Sequence, residues 1–279
     1  MSGRDLVLLD GPMGTELARR GVALPLPAWS ATAIDAAPET VAAIHRDYAA
    51  AGAAVHTANT FRTRRRAVGE RWRPMTRRAV QLARANVPEG HRVAGSIAPI
   101  EDCYRQDLSP GEAAYGEHLE FASALAAEGV DLLLCETFPH PAEARAAVRA
   151  AVTTGLETWV ALTAGPDGAL MTPGALAAAA RACVDAGAGA VLVNCLAARR
   201  TLGYVEELAK LGVPFGAYAN AGAKDEGLGW DAAGDPGAAE AYARLAATWI
   251  AAGATIVGGC CGTGPAHIRR LREVASGGG

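Results

Sequence analysis

Thr255-Ile256-Val257-Gly258-Gly259-Cys260-Cys261-Gly262-Thr263 is the stretch that decides the fold. An apolar run that breaks into glycines around two adjacent cysteines reads as a strand delivering thiols at its C-terminal end. Neighbouring side chains of a regular strand point to opposite faces, so both thiols reach one ion only where the strand stops and the backbone turns. The flanking glycines permit that turn. Two thiols are an incomplete soft-metal site, which needs three or four ligands. Cys195, closing the run Ala190-Val191-Leu192-Val193-Asn194, is the best candidate for a third, and Cys103, just after another strand, is the reserve. The competing readings are a Cys260-Cys261 disulfide without metal, or two buried thiols.

Outward from this stretch the chain repeats one rhythm. Strands are expected over Asp5–Asp10, Val55–Thr60, Arg92–Ile97, Val130–Phe138, Glu157–Ala164, Ala188–Cys195, Pro214–Asn220 and Ala254–Gly259. Between and after them, helices are expected over Pro38–Gly52, Pro74–Asn86, Pro110–Glu128, Pro141–Thr154, Pro173–Ala186, Arg200–Leu211, Ala238–Ala252 and Pro265–Val274. In the first of these helices Val41, Ile44 and Tyr48 share one face, with Pro near the start and Gly at the end as punctuation. The Gly-rich segment Ala221–Gly237 reads as a long loop, and Ser276–Gly279 as a fraying end. The arginine-rich stretch Arg62–Arg84 reads as a solvated surface in preference to an anion-binding lip.

Strand then helix, about eight times in 279 residues and without a composition break, predicts a single-domain (β/α)8 TIM barrel over residues 1–279 rather than a doubly wound sheet. Asp10, Thr60, Glu136, Cys195, Asn220, Cys260 and Cys261 all fall at expected C-terminal strand ends. In a barrel those ends converge on one face, where active sites are built.

Composition narrows the function classes. With 51% hydrophobic residues the chain has material for a sizeable core, and a net charge of −3 gives no electrostatic case for a nucleic-acid or membrane partner. No N-terminal apolar segment resembles a signal peptide, and no run is long enough to span a bilayer. A cytoplasmic location follows as the expectation, and reduced thiols there favour metal binding for the six cysteines. Small-molecule substrates are the expected partners; the oligomeric state is left open. Cys183, inside an Ala-rich helix, and Cys135, inside a strand, read as core; the six histidines show no ligand spacing.

Three thiolates around zinc leave one coordination position open, the arrangement of a site that binds something. Such a site is negatively charged and a weak Lewis acid, ill suited to activating water and well suited to keeping an incoming thiol as thiolate. Alkyl transfer to sulfur is the predicted reaction. Asp10 and Glu136 bring carboxylates to the same rim, where an ammonium group of the acceptor can be held by charge-assisted hydrogen bonds. The plainer alternatives are a helix cap for Asp10 and an arginine partner for Glu136.

With these residues in place, the chain resembles the zinc-dependent homocysteine S-methyltransferase family. The likeness runs through Asp10-Gly11 with Met13-Gly14-Thr15, Trp29-Ser30-Ala31, Thr57-Ala58-Asn59-Thr60-Phe61, Glu136-Thr137, Asn194-Cys195, Tyr218-Ala219-Asn220-Ala221-Gly222 and Gly258 to Thr263. The resemblance implies zinc on Cys195, Cys260 and Cys261, and an acceptor, homocysteine, held by Asp10, Glu136, the backbone near Gly11 and the hydroxyl of Thr60. It also implies that Asn220 fills the fourth zinc position until the substrate thiol displaces it. Ala219 and Pro12 depart from the family pattern beside the pocket. The Trp-Ser-Ala stretch and the short chain are more similar to the S-methylmethionine branch, which implies a sulfonium donor, S-methylmethionine or S-adenosylmethionine, and methionine as product. Betaine and methyltetrahydrofolate are the alternative donors.

Overall fold

The computed structural model describes residues 6–221, 227–229 and 236–276. Eight strands form one parallel sheet: β1 Val7–Leu8, β2 Val55–Thr57, β3 Arg92–Ile97, β4 Leu132–Phe138, β5 Glu157–Leu162, β6 Ala190–Ala197, β7 Phe215–Asn220 and β8 Ile256–Gly259. Each pairs with its neighbours in sequence, β8 pairs with β1, and a bridge between Leu9 and Val55 joins β1 to β2. The sheet therefore closes on itself as the expected (β/α)8 barrel.

Helices occupy the connections as the periodicity predicted, among them Pro38–Ala51, Trp72–Ala85, Tyr115–Ala127, Pro141–Val152, Pro173–Asp185, Pro236–Ala251 and Pro265–Ala275. The first begins on proline and ends at Gly52 in the left-handed region, φ 109°. Three expectations need adjusting at their ends. The helix expected from Pro110 opens as a 3-10 turn and becomes α-helical only at Tyr115; the Arg200–Leu211 helix is α-helical only over Leu202–Leu208; and the helix expected from Pro74 starts at Trp72. Asp5, most of the loop expected over 221–237 and the end expected to fray at 277–279 lie outside the described residues.

Two apolar cores result from strand alternation. Leu9, Val55, Ala94, Leu132, Leu134, Trp159, Ala161, Ala190, Leu192, Tyr218 and Ile256 fill the barrel interior, while the larger core lies between sheet and helices. Cys135 and Cys183 are buried in that outer core, as read from sequence. Parity along a strand thus decides what reaches the cavity above the interior. On β4, Leu132 and Leu134 point inward and Glu136 follows them. On β6, Ala190 and Leu192 do so, and Cys195 has the wrong parity.

The backbone corrects this. Cys195 sits at φ 51°, and the β6–β7 register slips between Asn194 and Ala197, so β6 runs past Cys195 rather than ending there. Thr137 sits at φ 63° inside the matching β4–β5 irregularity. Local irregularities of this kind re-aim side chains and collect at functional sites. Among the described residues the third non-glycine residue with positive φ is Trp29, at 46°, and it too faces the cavity. Strand β2 stops at Thr57, three residues short of the expected Thr60.

Candidate active site

A cavity of about 310 Å³ opens at the C-terminal ends of the strands. Asp10, Gly11, Glu136, Cys195, Cys260 and Cys261 line it, so six of the eight residues singled out in the sequence meet there. Trp29, Phe61, Tyr104 and Tyr218 supply aromatic wall, and Arg62, Asp102 and Cys103 complete one side.

The three thiols gather within 4.8 Å of one another, with Cys195 Sγ 2.9 Å from Cys260 Sγ. All six cysteines are free, so the Cys260-Cys261 disulfide offered as an alternative is not formed. Cys103, the reserve ligand, stands on the cavity wall outside this cluster. The turn that brings Cys261 beside Cys260 depends on Gly262 at φ 84° and is tied by Thr263, whose Oγ1 donates to Cys260 O at 2.9 Å. From the helix Pro236–Ala251, Tyr242 reaches in and staples β7 to β8. Its hydroxyl lies 2.9 Å from Gly258 O and 3.0 Å from Ala219 O, and accepts from Ala219 N at 3.1 Å.

Three crowded thiols cannot all carry charge. Contact with Cys195 and Cys261, then burial, pushes Cys260 well up, whereas the hydrogen bonds that Cys195 and Cys260 direct to it hold Cys261 well down. A bound cation would relieve this crowding, since a coordinated thiol is deprotonated. Asn220 adds a second sign of fit. Its Oδ1 is buried without a partner, on a residue flanked by Ala219, whose carbonyl accepts from Cys260 N, and Ala221, whose N–H donates to the Cys261 carbonyl, each at 2.9 Å. Three sulfurs and an orphaned oxygen suit a soft or borderline metal.

In the same cavity the carboxylates have no cationic partner among the described residues. Glu136 accepts from Ser96 Oγ at 2.5 Å and from Tyr218 OH at 2.9 Å, not from an arginine. Asp10 caps no helix; it accepts from Thr57 N at 2.8 Å and Thr57 Oγ1 at 3.1 Å. Burial pushes Asp10 up to about 8 despite those bonds, with Glu136 adding repulsion. Burial likewise pushes Glu136 up to about 7, against its two hydroxyl donors and with Cys195 adding. Buried carboxylates with donors but no countercharge are ready for a cationic ligand.

Of the eight, Thr60 and Asn220 do not line the cavity. Thr60 is fully buried behind the wall, where its hydroxyl donates to Ser96 O at 2.9 Å and accepts from Ser96 N at 3.0 Å, so it supports the residue that holds Glu136. Gly11 stays on the wall, because a β-carbon there would come within 2.6 Å of the Tyr48 ring.

Sequence reasoning missed Tyr218, Ser96, Thr57 and Tyr104, and it passed over the histidines. His45 and His56 are buried with Asp10 in a second cluster spanning at most 4.8 Å, where burial lowers them to about 3 and about 4 and so keeps both imidazoles neutral. Parity was the available signal for Tyr218, which shares the inward face of β7 with Asn220. The arginine-rich stretch divides. Arg65, Arg66, Arg71, Arg73, Arg77 and Arg84 pair with acids at the surface, as expected. Arg64 is instead buried, donating to Ala98 O at 3.0 Å, and Arg62 turns to the cavity.

Fold and site together define a (β/α)8 barrel enzyme with a thiol cluster and an ammonium-ready carboxylate pair at its catalytic rim. The chain belongs to the homocysteine S-methyltransferase family, whose model matches residues 7–275. It is 31% identical to the homocysteine S-methyltransferase YbgG of Bacillus subtilis (strain 168), over 95% of this chain and 93% of that protein. It is 28% identical to the S-methylmethionine–homocysteine S-methyltransferase BHMT2 of Pongo abelii, over 96% of this chain and 78% of that one. The crystal structure of the homocysteine methyltransferase MmuM from Escherichia coli in its metallated form superposes with a TM-score of 0.79 at 27% identity, covering 96% of each chain. The chain is thus an enzyme that transfers a methyl group to homocysteine. Among the described residues no helix is long and apolar enough to cross a membrane.

Proposed function

We propose that the enzyme takes the methyl group from a sulfonium donor, S-methylmethionine ahead of S-adenosylmethionine, and that Cys195, Cys260 and Cys261 hold a zinc ion. The observation that carries this reading is the joining, in one cavity, of three thiols, two buried carboxylates without countercharge and an aromatic wall. Bound zinc supplies one thing, a homocysteine sulfur kept as thiolate at neutral pH. Metallated MmuM and the orphaned Asn220 Oδ1 support a metal here, and Asn220 would hold the ion beside the three thiols.

The remaining work belongs to the chain. Asp10 and Glu136 take the homocysteine ammonium, which returns both carboxyls to their charged forms, while Tyr218 and Ser96 fix the orientation of Glu136. Orientation of this sort is worth on the order of 7–11 kcal/mol in a reaction between two bound partners. The homocysteine S–H proton passes to solvent, its sulfur forms the new S–CH3 bond, and the donor's S–CH3 bond breaks with the electron pair returning to donor sulfur. S-Methylmethionine thereby leaves as neutral methionine, so no acid is required. That agrees with the site, where no histidine lines the cavity among the described residues and the protons on Asp10 and Glu136 leave to solvent as the ammonium binds. Trp29, with Phe61 6.1 Å away edge-to-face, and Tyr218 present aromatic surface to a sulfonium cation. BHMT2, named for S-methylmethionine, supports the same donor.

The test is a donor panel at fixed homocysteine, with methionine followed by mass spectrometry. S-Methylmethionine should give the highest kcat/KM and S-adenosylmethionine a lower one. Turnover confined to betaine or methyltetrahydrofolate would contradict the sulfonium assignment.

A further inference from the structure

Among the cavity charges, two are not used by anything above. Arg62 has no carboxylate within ion-pair distance among the described residues, and its Nε is buried without a hydrogen-bond partner. The Phe61 ring lies 5.5 Å from its guanidinium carbon. Arg65, Arg66 and Arg73 differ in that they are paired, to Glu70, Glu101, Glu117 and Glu120. A half-buried guanidinium beside a second buried arginine, with no acid to answer it, is costly unless an anion arrives. Asp102 lies on the same wall, nearer solvent. It accepts from Tyr104 N through Oδ1 at 2.8 Å and makes no ion pair among the described residues. Asp102 precedes Cys103 in the chain, and both line the same cavity as Arg62 and the thiol cluster.

The acceptor's ammonium is already answered by Asp10, just after β1, and Glu136 on β4, and its carboxylate falls to the backbone near Gly11 on the same wall. Resting on the sulfonium reading, we propose that Arg62 and Asp102 form the subsite for the amino-acid end of the methyl donor, Arg62 taking its α-carboxylate and Asp102 its α-ammonium. A zwitterionic α-amino acid two methylenes from the sulfonium fits this pair. The aromatic side chains of the same cavity, Trp29, Phe61 and Tyr218, take the sulfonium itself. Betaine offers a carboxylate but no N–H to Asp102, so the pair also selects among donors.

The experiment measures KM and kcat for three donors: S-methylmethionine, dimethylsulfoniopropionate, which keeps the carboxylate and lacks the ammonium, and trimethylsulfonium, which lacks both. Wild-type enzyme is compared with Arg62→Gln, Arg62→Lys and Asp102→Asn. Arg62→Gln should raise KM for the two carboxylated donors roughly 10- to 100-fold, leave trimethylsulfonium unchanged and leave the KM of homocysteine unchanged. Arg62→Lys should recover part of the loss, keeping the charge without the fork. Asp102→Asn, which can still accept from Tyr104 N, should affect S-methylmethionine alone. Calorimetric titration of S-methylmethionine into each variant should show the same order. A rise in the homocysteine KM in Arg62→Gln, or equal losses on all three donors, overturns the assignment while the sulfonium reading stands. Failure of wild-type enzyme to use any of the three overturns both.

Discussion

The two ends of the barrel are made by the same eight strands and treat charge in opposite ways. At the N-terminal end Arg92 pairs with Glu157 at 2.5 Å, Trp159 Nε1 donates to the same carboxylate at 2.6 Å, and the guanidinium lies over the Trp159 ring. This pair is answered at the surface, at side-chain exposures of 35% and 47%. At the C-terminal end Asp10 and Glu136 are buried without countercharge, three thiols crowd together, and Cys195, Thr137 and Trp29 sit in left-handed backbone. One end spends nothing on ligands; the other is incomplete without them. The stability of the free protein and its activity should therefore respond in opposite directions to changes at the upper rim, and hardly at all to changes at the lower.

The largest contrast is expected at Glu136. Glu136→Gln keeps the shape but removes the charge awaiting the ammonium, so kcat/KM for homocysteine should fall by about 2–5 kcal/mol of binding, read by steady-state kinetics, with no loss of Tm. An unchanged kcat/KM would place the homocysteine ammonium elsewhere.

Asp10 sharpens the comparison through pH. Its carboxyl titrates near the usual 3.8 when unfolded and at about 8 when folded, so the folded state holds its proton more tightly. Stability from this group is present at low pH and is lost progressively as pH rises from about 4 to about 8. Urea unfolding of the metal-free, substrate-free protein should show that decline, and Asp10→Asn should flatten it by more than about 1 kcal/mol. A decline of equal size in the variant would remove Asp10 as its source. The smallest effect belongs to the lower rim, where Arg92→Ala should cost about 0.2–1 kcal/mol and leave kinetics untouched. Impaired turnover in that variant would break the division between the ends.

The fold was legible because alternation of strand and helix survives small errors at the ends of elements. The site was legible where a polar residue continues an inward run, as Glu136 does after Leu132 and Leu134. Cys195 was found through its place in an apolar run, although its parity is wrong; only the left-handed backbone at that residue turns it inward, and spacing does not encode that. Thr60 was misplaced because its hydroxyl serves Ser96 across β3, a contact 36 residues away in sequence. Arg62 was submerged in a basic stretch whose other members are mostly surface pairs. Composition cannot separate one unanswered arginine from many answered ones.

The thiol cluster is the central claim, and its direct test is metal content together with X-ray absorption on protein purified without added metal. About one zinc per chain with three sulfur neighbours near 2.3 Å, rising to four when homocysteine is added, is the predicted result, and Cys260→Ser should lose the metal. Full zinc retention in Cys260→Ser, or a wild-type protein that carries no metal and holds a disulfide between two of these thiols, would contradict it.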